Sequence, residues 1–243
     1  MLLLRYFCKM RAILFFLILV LCIACNSKQD TAITAGTYTS VNKENLEYYL
    51  YRPKNLKEKK PGLLLFLHGG GEAGAQLKHL KLGGPPKLME EAYPFPFLVL
   101  APQHPYADKW WNTQAVYNLL QDVVAKNNVD TNRIYLTGLS RGGYAAWELA
   151  INNKETFAAM AVVSAMAPVP YAHWLNHEMP IWLFHGAQDS IMPASEADNM
   201  VAKLKELKFN VRYTKYPNTG HNAWDKAYTT DSLYIWMAQQ KRN

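Results

Sequence analysis

The sequence predicts an α/β fold, a mostly parallel sheet with helices on both faces. Three observations carry that reading. Continuous apolar runs such as Leu63-Leu64-Leu65-Phe66-Leu67 and Ile181-Trp182-Leu183-Phe184 suit strands buried on both sides. Between such runs, Val116, Leu119, Leu120, Val123 and Val124 recur at helical spacing, as do Ala197, Met200, Val201, Leu204 and Leu207. With half of its 243 residues apolar, the chain can build one sizeable core. Alternating strands and helices place functional loops at the carboxyl ends of the strands.

Two early strands, around Tyr38 and over 47–51, are expected to pair antiparallel at the sheet edge, until Pro53 breaks the pattern. Lys54, Lys57, Lys59 and Lys60 then read as a solvated loop. The parallel series is expected at 62–67, 97–101, 134–137, 159–164, 181–184 and 210–216. One domain over 37–243 follows, with 26–36 as a polar tether before it.

The strand at 134–137 empties into Gly138-Leu139-Ser140-Arg141-Gly142-Gly143. A serine hydroxyl becomes a useful nucleophile when it projects from a tight strand-to-helix turn toward a base, and glycines two before and two after leave room for that turn. Ser140 is the candidate nucleophile. Alone, Gly-x-Ser-x-Gly is usually an ordinary turn; the other parts of a hydrolytic site give it weight. The strand at 62–67 opens into His68-Gly69-Gly70-Gly71-Glu72, where backbone amides can crowd around an oxyanion. The amides of Gly70 and Arg141 are the candidate donors. The strand at 181–184 leads to Asp189, the candidate orienting acid, and the last strand leads to Gly220-His221, the candidate base. The chain order Ser140, Asp189, His221 is that of the α/β-hydrolase fold, not of chymotrypsin or subtilisin. Asp198 falls in a helical stripe and Asp225 stands only four positions after His221, so Asp189 is the better acid. His68 and His185 are expected to brace loops, and His79, His104, His173 and His177 to be solvated.

All three cysteines, Cys8, Cys22 and Cys25, lie in the N-terminal segment. The catalytic domain therefore holds no disulfide, thiolate metal site or cysteine nucleophile. Arg5, Lys9 and Arg11 precede an uncharged run over 12–24, shorter than the roughly 20 residues of a spanning helix and suited to an export signal. Ile23-Ala24-Cys25 is similar to the end of a bacterial lipoprotein signal. Cys25 is thus the candidate lipidation site, 1–25 the signal, and a membrane the partner through a lipid anchor at the periplasmic or outer surface; ordinary cleavage near Ala24 or a retained short anchor is the competing reading. The formal charge of +7 loses three cations with that segment, leaving 23 against 19 anions. Nucleic acid is not an expected partner.

Several further segments stand beside the strand-to-helix turn at Ser140, the nucleophile elbow: Ala101-Pro102-Gln103, Val129-Asp130-Thr131-Asn132-Arg133-Ile134-Tyr135, Phe184-His185-Gly186-Ala187-Gln188-Asp189 and Gly220-His221-Asn222-Ala223-Trp224. On these the chain resembles, from about Glu47 to Arg242, the α/β-hydrolase esterases related to polyhydroxybutyrate depolymerases and feruloyl or acetylxylan esterases, grouped as prolyl oligopeptidase-like. The resemblance implies ester hydrolysis by acyl transfer, with no metal or organic cofactor. Three functions compete: a carboxylesterase acting on acyl-decorated plant polysaccharide or a small ester, a serine peptidase of the prolyl oligopeptidase-like type, and a non-catalytic lipoprotein that keeps the fold. Trp110, Trp111 and Trp224 are candidate substrate contacts, against the alternative of buried packing. Relatives commonly carry methionine where this chain has Arg141, whose side chain is open to three roles: a salt bridge on the elbow helix, a clamp for an acidic substrate group, or assistance to the oxyanion.

Overall fold

Leu63, Leu65 and Leu67 pack into one apolar cluster, and the intervening Leu64 and Phe66 into another. Alternation of side chains along a strand sends successive residues to opposite faces, so an all-apolar run serves two cores at once. Leu98 and Leu100 against Val99 and Ala101 repeat the division on the neighbouring strand. Each such leucine, fully buried, contributes about 1.5–3 kcal/mol relative to exposure.

In the computed structural model, residues 32–54 and 56–242 are described. The expected export signal, Cys25 and the start of the tether lie outside them. The strands are β1 (Ala32–Thr39), β2 (Asn45–Arg52), β3 (Leu63–Leu67), β4 (Leu98–Pro102), β5 (Ile134–Leu139), β6 (Ala159–Val163), β7 (Ile181–Gly186) and β8 (Val211–Tyr216). They form one sheet in the order β1-β2-β4-β3-β5-β6-β7-β8. β1 and β2 pair antiparallel, β2 joins β4 antiparallel, and the remaining pairs are parallel. This is the α/β-hydrolase architecture that the sequence predicts.

One boundary differs. Residues 32–36, expected in the tether, belong to β1, where Ala32 pairs with Arg52 and Gly36 with Tyr48. Their mixed small and polar side chains carry no apolar alternation, and the backbone pairing with β2 makes the strand. At the opposite edge, β8 exposes Arg212 and Lys215, cations that discourage edge-to-edge association.

Helices Thr113–Lys126, Arg141–Asn152 and Ala194–Glu206 supply apolar stripes to one cluster. Leu233, Tyr234, Trp236 and Met237 of helix Asp231–Gln239 join the other cluster, with Phe95, Phe97 and Tyr228. The chain leaves β3 to form β4 on one side and then crosses to form β5 on the other. At such a reversal the connections diverge and leave a crevice at the carboxyl ends of the strands. The loop after β3 and the turn after β5 meet there.

Candidate active site

β5 runs into Ser140, which holds φ +50° and ψ −121° before the helix Arg141–Asn152 begins. A non-glycine residue in this region stores on the order of 1–3 kcal/mol of strain, so its surroundings must impose it. They do so through close backbone approach. A Cβ on Gly142 would overlap the carbonyl oxygens of Leu67 and His68, and one on Gly138 would overlap the Gly142 carbonyl. The turn is also tied to the next strand, where the Ser140 N–H donates to the Val163 carbonyl at 3.0 Å.

The loops after β7 and β8 deliver the other two groups. A Cβ on Gly186 would overlap the carbonyl oxygens of Thr219 and Gly220, so β7 ends pressed against the loop that carries His221. The Gln188 N–H donates to the Thr219 carbonyl at 2.9 Å and fixes the two loops together. His221 Nδ1 lies 2.8 Å from Asp189 Oδ2, and His221 Nε2 lies 2.9 Å from Ser140 Oγ. Ser140, Asp189 and His221 are therefore brought together. Because the carboxylate accepts at Nδ1, the proton sits there and Nε2 is free to accept from the serine hydroxyl.

Asp189 is buried and its second oxygen accepts the Ile191 and Met192 N–H groups at 3.0 and 2.9 Å. Burial pushes its carboxyl up, but the hydrogen bonds from His221 and these two amides outweigh it and hold the group below the usual carboxylate range. His185 braces the same loop through Nε2, 2.8 Å from the Met192 carbonyl. Asp225 instead accepts from Asn222 Nδ2 at 3.0 Å, and Asp198 pairs with Lys215 at 2.7 Å.

Beside Ser140 lies the loop after β3. A Cβ on Gly69 would come within 3.5 Å of Ser140 Cβ. Among the described residues, no backbone carbonyl accepts from the Gly70 or Arg141 N–H. His68 braces this loop, with Nδ1 donating to the Gly69 carbonyl at 2.7 Å and Nε2 accepting the His104 N–H at 2.9 Å. Burial lowers its pKa to about 4, with a smaller push from His104 and Arg141 against the opposing Gly69 hydrogen bond, so the ring is neutral at pH 7.

Several sequence expectations need correction. His104 is not solvated: it is buried beside His68 and Trp111, and Nε2 donates to the Lys109 carbonyl at 2.9 Å. Trp111 is only 6% exposed, with ring centroids 4.8 Å from His68 and 4.9 Å from His104. It packs under the loop and offers a substrate no face. Trp110 is 62% exposed, and Trp224 stands edge-on to His221 at 5.1 Å. The Arg141 side chain makes no salt bridge among the described residues; Nη1 donates to the carbonyls of Ala107 and Lys109 at 2.9 and 3.1 Å. Sequence reasoning missed this link, since a cation seeking loop carbonyls leaves no periodic signal.

The dienelactone hydrolase family model matches residues 104–232, more than half of the chain. The protein belongs to the dienelactone hydrolase family. A probable acetylxylan esterase A of Aspergillus fumigatus is 27% identical to this dienelactone hydrolase family member over 219 residues, covering 80% of the chain and 57% of the fungal protein. A thermostable esterase superposes with a TM-score of 0.75 at 27% identity, over 86% of this chain and 63% of that one. An acylaminoacyl peptidase of Pyrococcus horikoshii shares the fold, with a TM-score of 0.70 at 15% identity over 88% of this chain and 42% of its own. The chain spans about half the length of the curated relatives it matches. As a family, these proteins are hydrolases, and esterases recur among the relatives of this member.

Proposed function

We propose that the protein is a serine carboxylesterase that removes acyl groups from a decorated oligosaccharide or polysaccharide. The observation that carries the reading is the unbroken relay from Asp189 Oδ2 through His221 to Ser140 Oγ, at 2.8 and 2.9 Å. His221 Nε2 takes the hydroxyl proton as Ser140 Oγ attacks the ester carbonyl carbon. The carbonyl oxygen becomes an oxyanion facing the Gly70 and Arg141 amides, each such donor being worth about 2.7–4 kcal/mol in comparable sites. Collapse breaks the carbon–oxygen bond to the alcohol, which leaves with the proton from His221. Water, deprotonated by the same imidazole, then releases the acid and restores Ser140. Asp189 keeps the imidazole in the tautomer that makes this possible and stabilises its charged form.

The names of the acetylxylan esterase relatives support a carbohydrate ester as substrate. A screen of p-nitrophenyl acetate, acetylated, feruloylated and glucuronoylated oligosaccharides and a proline-containing chromogenic peptide tests the reading. Hydrolysis of esters with an inert peptide is expected; the reverse pattern would replace the esterase with a peptidase. The sequence around Cys25 supports export and lipid anchoring, for which Cys25→Ser should release the protein from the membrane fraction or block its processing. Wild-type protein found soluble in the medium and beginning at Asn26 would contradict anchoring.

A further inference from the structure

Four aromatic rings follow one another away from the residue that follows Ser140, the middle two half-buried and Tyr171 also resting on the core. The Arg141 guanidinium lies 5.9 Å from the Trp110 ring. Trp110 contacts Tyr144 at 5.2 Å, Tyr144 contacts Tyr171 at 6.4 Å, and Tyr171 contacts Trp174 at 5.5 Å between centroids. Arg141 and Tyr144 lie one turn apart on the elbow helix, whereas Tyr171 and Trp174 come from the 3₁₀ turn Val169–Trp174 after β6. The rings at the two ends are the open ones, Trp110 at 62% and Trp174 at 50% exposure. No core function accounts for them.

Polar groups flank the rings. The Tyr144 and Tyr171 hydroxyls meet at 3.4 Å, and Glu148, one helical turn beyond Tyr144, is half-buried. Burial raises the Glu148 carboxyl above its ordinary range. Aromatic faces bordered by hydroxyl, carboxylate and guanidinium groups match a sugar, whose pyranose presents flat C–H faces and a rim of hydroxyls. Tyrosine and tryptophan supply both an apolar face and a polar tip. A folded protein partner needs about 800 Å² on each side, more than a one-ring-wide ridge presents. Each step between rings is comparable with the length of one pyranose, and the file starts at the guanidinium of the residue that follows the proposed nucleophile.

We propose that Trp110, Tyr144, Tyr171 and Trp174 form a stacking ridge for the sugar chain of the substrate, with Arg141 and Glu148 at its polar margins. The proposal rests on the reading of the site as an esterase for acylated oligosaccharides, and it names where the alcohol portion lies.

Direct binding of xylohexaose, an unesterified sugar chain, to the Ser140→Ala protein by calorimetry separates the ridge from the chemistry. Saturable binding is expected, weakened about tenfold or more by Trp174→Ala through lost apolar contact and retained by Trp174→Phe, which keeps a flat face. Ile235→Ala, an exposed apolar substitution on the last helix, should leave binding unchanged. No binding, or equal binding by Trp174→Ala, overturns the ridge. So does concentration-dependent dimerisation abolished by Trp174→Ala, which would make the rings a contact between copies. Hydrolysis of p-nitrophenyl acetate by the wild-type protein is read separately: esterase activity without xylohexaose binding rejects the ridge alone, and binding without hydrolysis rejects the esterase alone.

Discussion

Arg141 donates to the carbonyl of Ala107 at 2.9 Å, which ties the residue after Ser140 to the loop that follows β4. The same nitrogen reaches the Lys109 carbonyl, to which His104 Nε2 also donates. A Cβ on Gly70 would come within 2.9 Å of Arg141 Nη2, so the guanidinium also lies against the proposed oxyanion loop. These bonds tie together the loops after β4 and β5. Arg141→Met should lower stability by about 1–2 kcal/mol, the range for lost charge-assisted bonds to backbone at a part-exposed site, and melt a few degrees earlier. Kinetics should fall alike on neutral and acidic esters. A loss confined to acidic esters would show a substrate clamp instead.

Asp189→Asn should reduce kcat by on the order of 10³–10⁴ on p-nitrophenyl acetate, because the amide favours the wrong imidazole tautomer. Asp225→Asn should be silent, as the Asp225 carboxylate accepts from its neighbour Asn222 and not, among the described residues, from His221. A silent Asp189→Asn beside an inactive Asp225→Asn would transfer the orienting role.

His68 gives a pH signature. Its folded pKa of about 4 lies below the ordinary value of 6.5, so the unfolded chain binds the proton first as pH falls. The stabilisation is complete above pH 6.5 and is lost on acidification toward pH 4, up to about 3 kcal/mol in all. Denaturant titrations between these values should show that slope, and His68→Gln should flatten it while starting from lower stability. An equal slope in both proteins would assign the effect elsewhere.

Gly142→Ala adds a methyl where the Leu67 and His68 carbonyls already stand. Backbone cannot yield as a side-chain tip can, so a loss of about 3 kcal/mol or more is expected, above the usual overpacking range. Gly71→Ala, where a Cβ would meet nothing within 4 Å, is the matched control and should retain wild-type stability in a thermal melt.

The apolar runs of β3, β4 and β7 were legible because burial on two faces leaves no polar position to interrupt them. The elbow was legible because its glycines answer to a steric demand inside a short segment. His104 and Trp111 were not, since an aperiodic loop gives no sign of which side chains turn inward; only their packing on His68 settles it. The short helix Gly84–Glu90 was equally silent, opening with Pro85 and Pro86, residues that suit a helix start but read as loop in a sequence. The aromatic file from Trp110 to Trp174 joins three separate segments, so no local pattern announces it.

Ser140→Ala, assayed on p-nitrophenyl acetate, asks whether Ser140 is the nucleophile of an ester hydrolase, with far-UV circular dichroism and melting temperature as checks on folding. The variant should fold like the parent, relieved of a hydroxyl that hydrogen-bonds to His221, and kcat should fall by about 10⁵-fold or more, further than for Asp189→Asn. Activity within about tenfold of the parent, beyond what loss of such a nucleophile permits, would show that Ser140 is not the nucleophile.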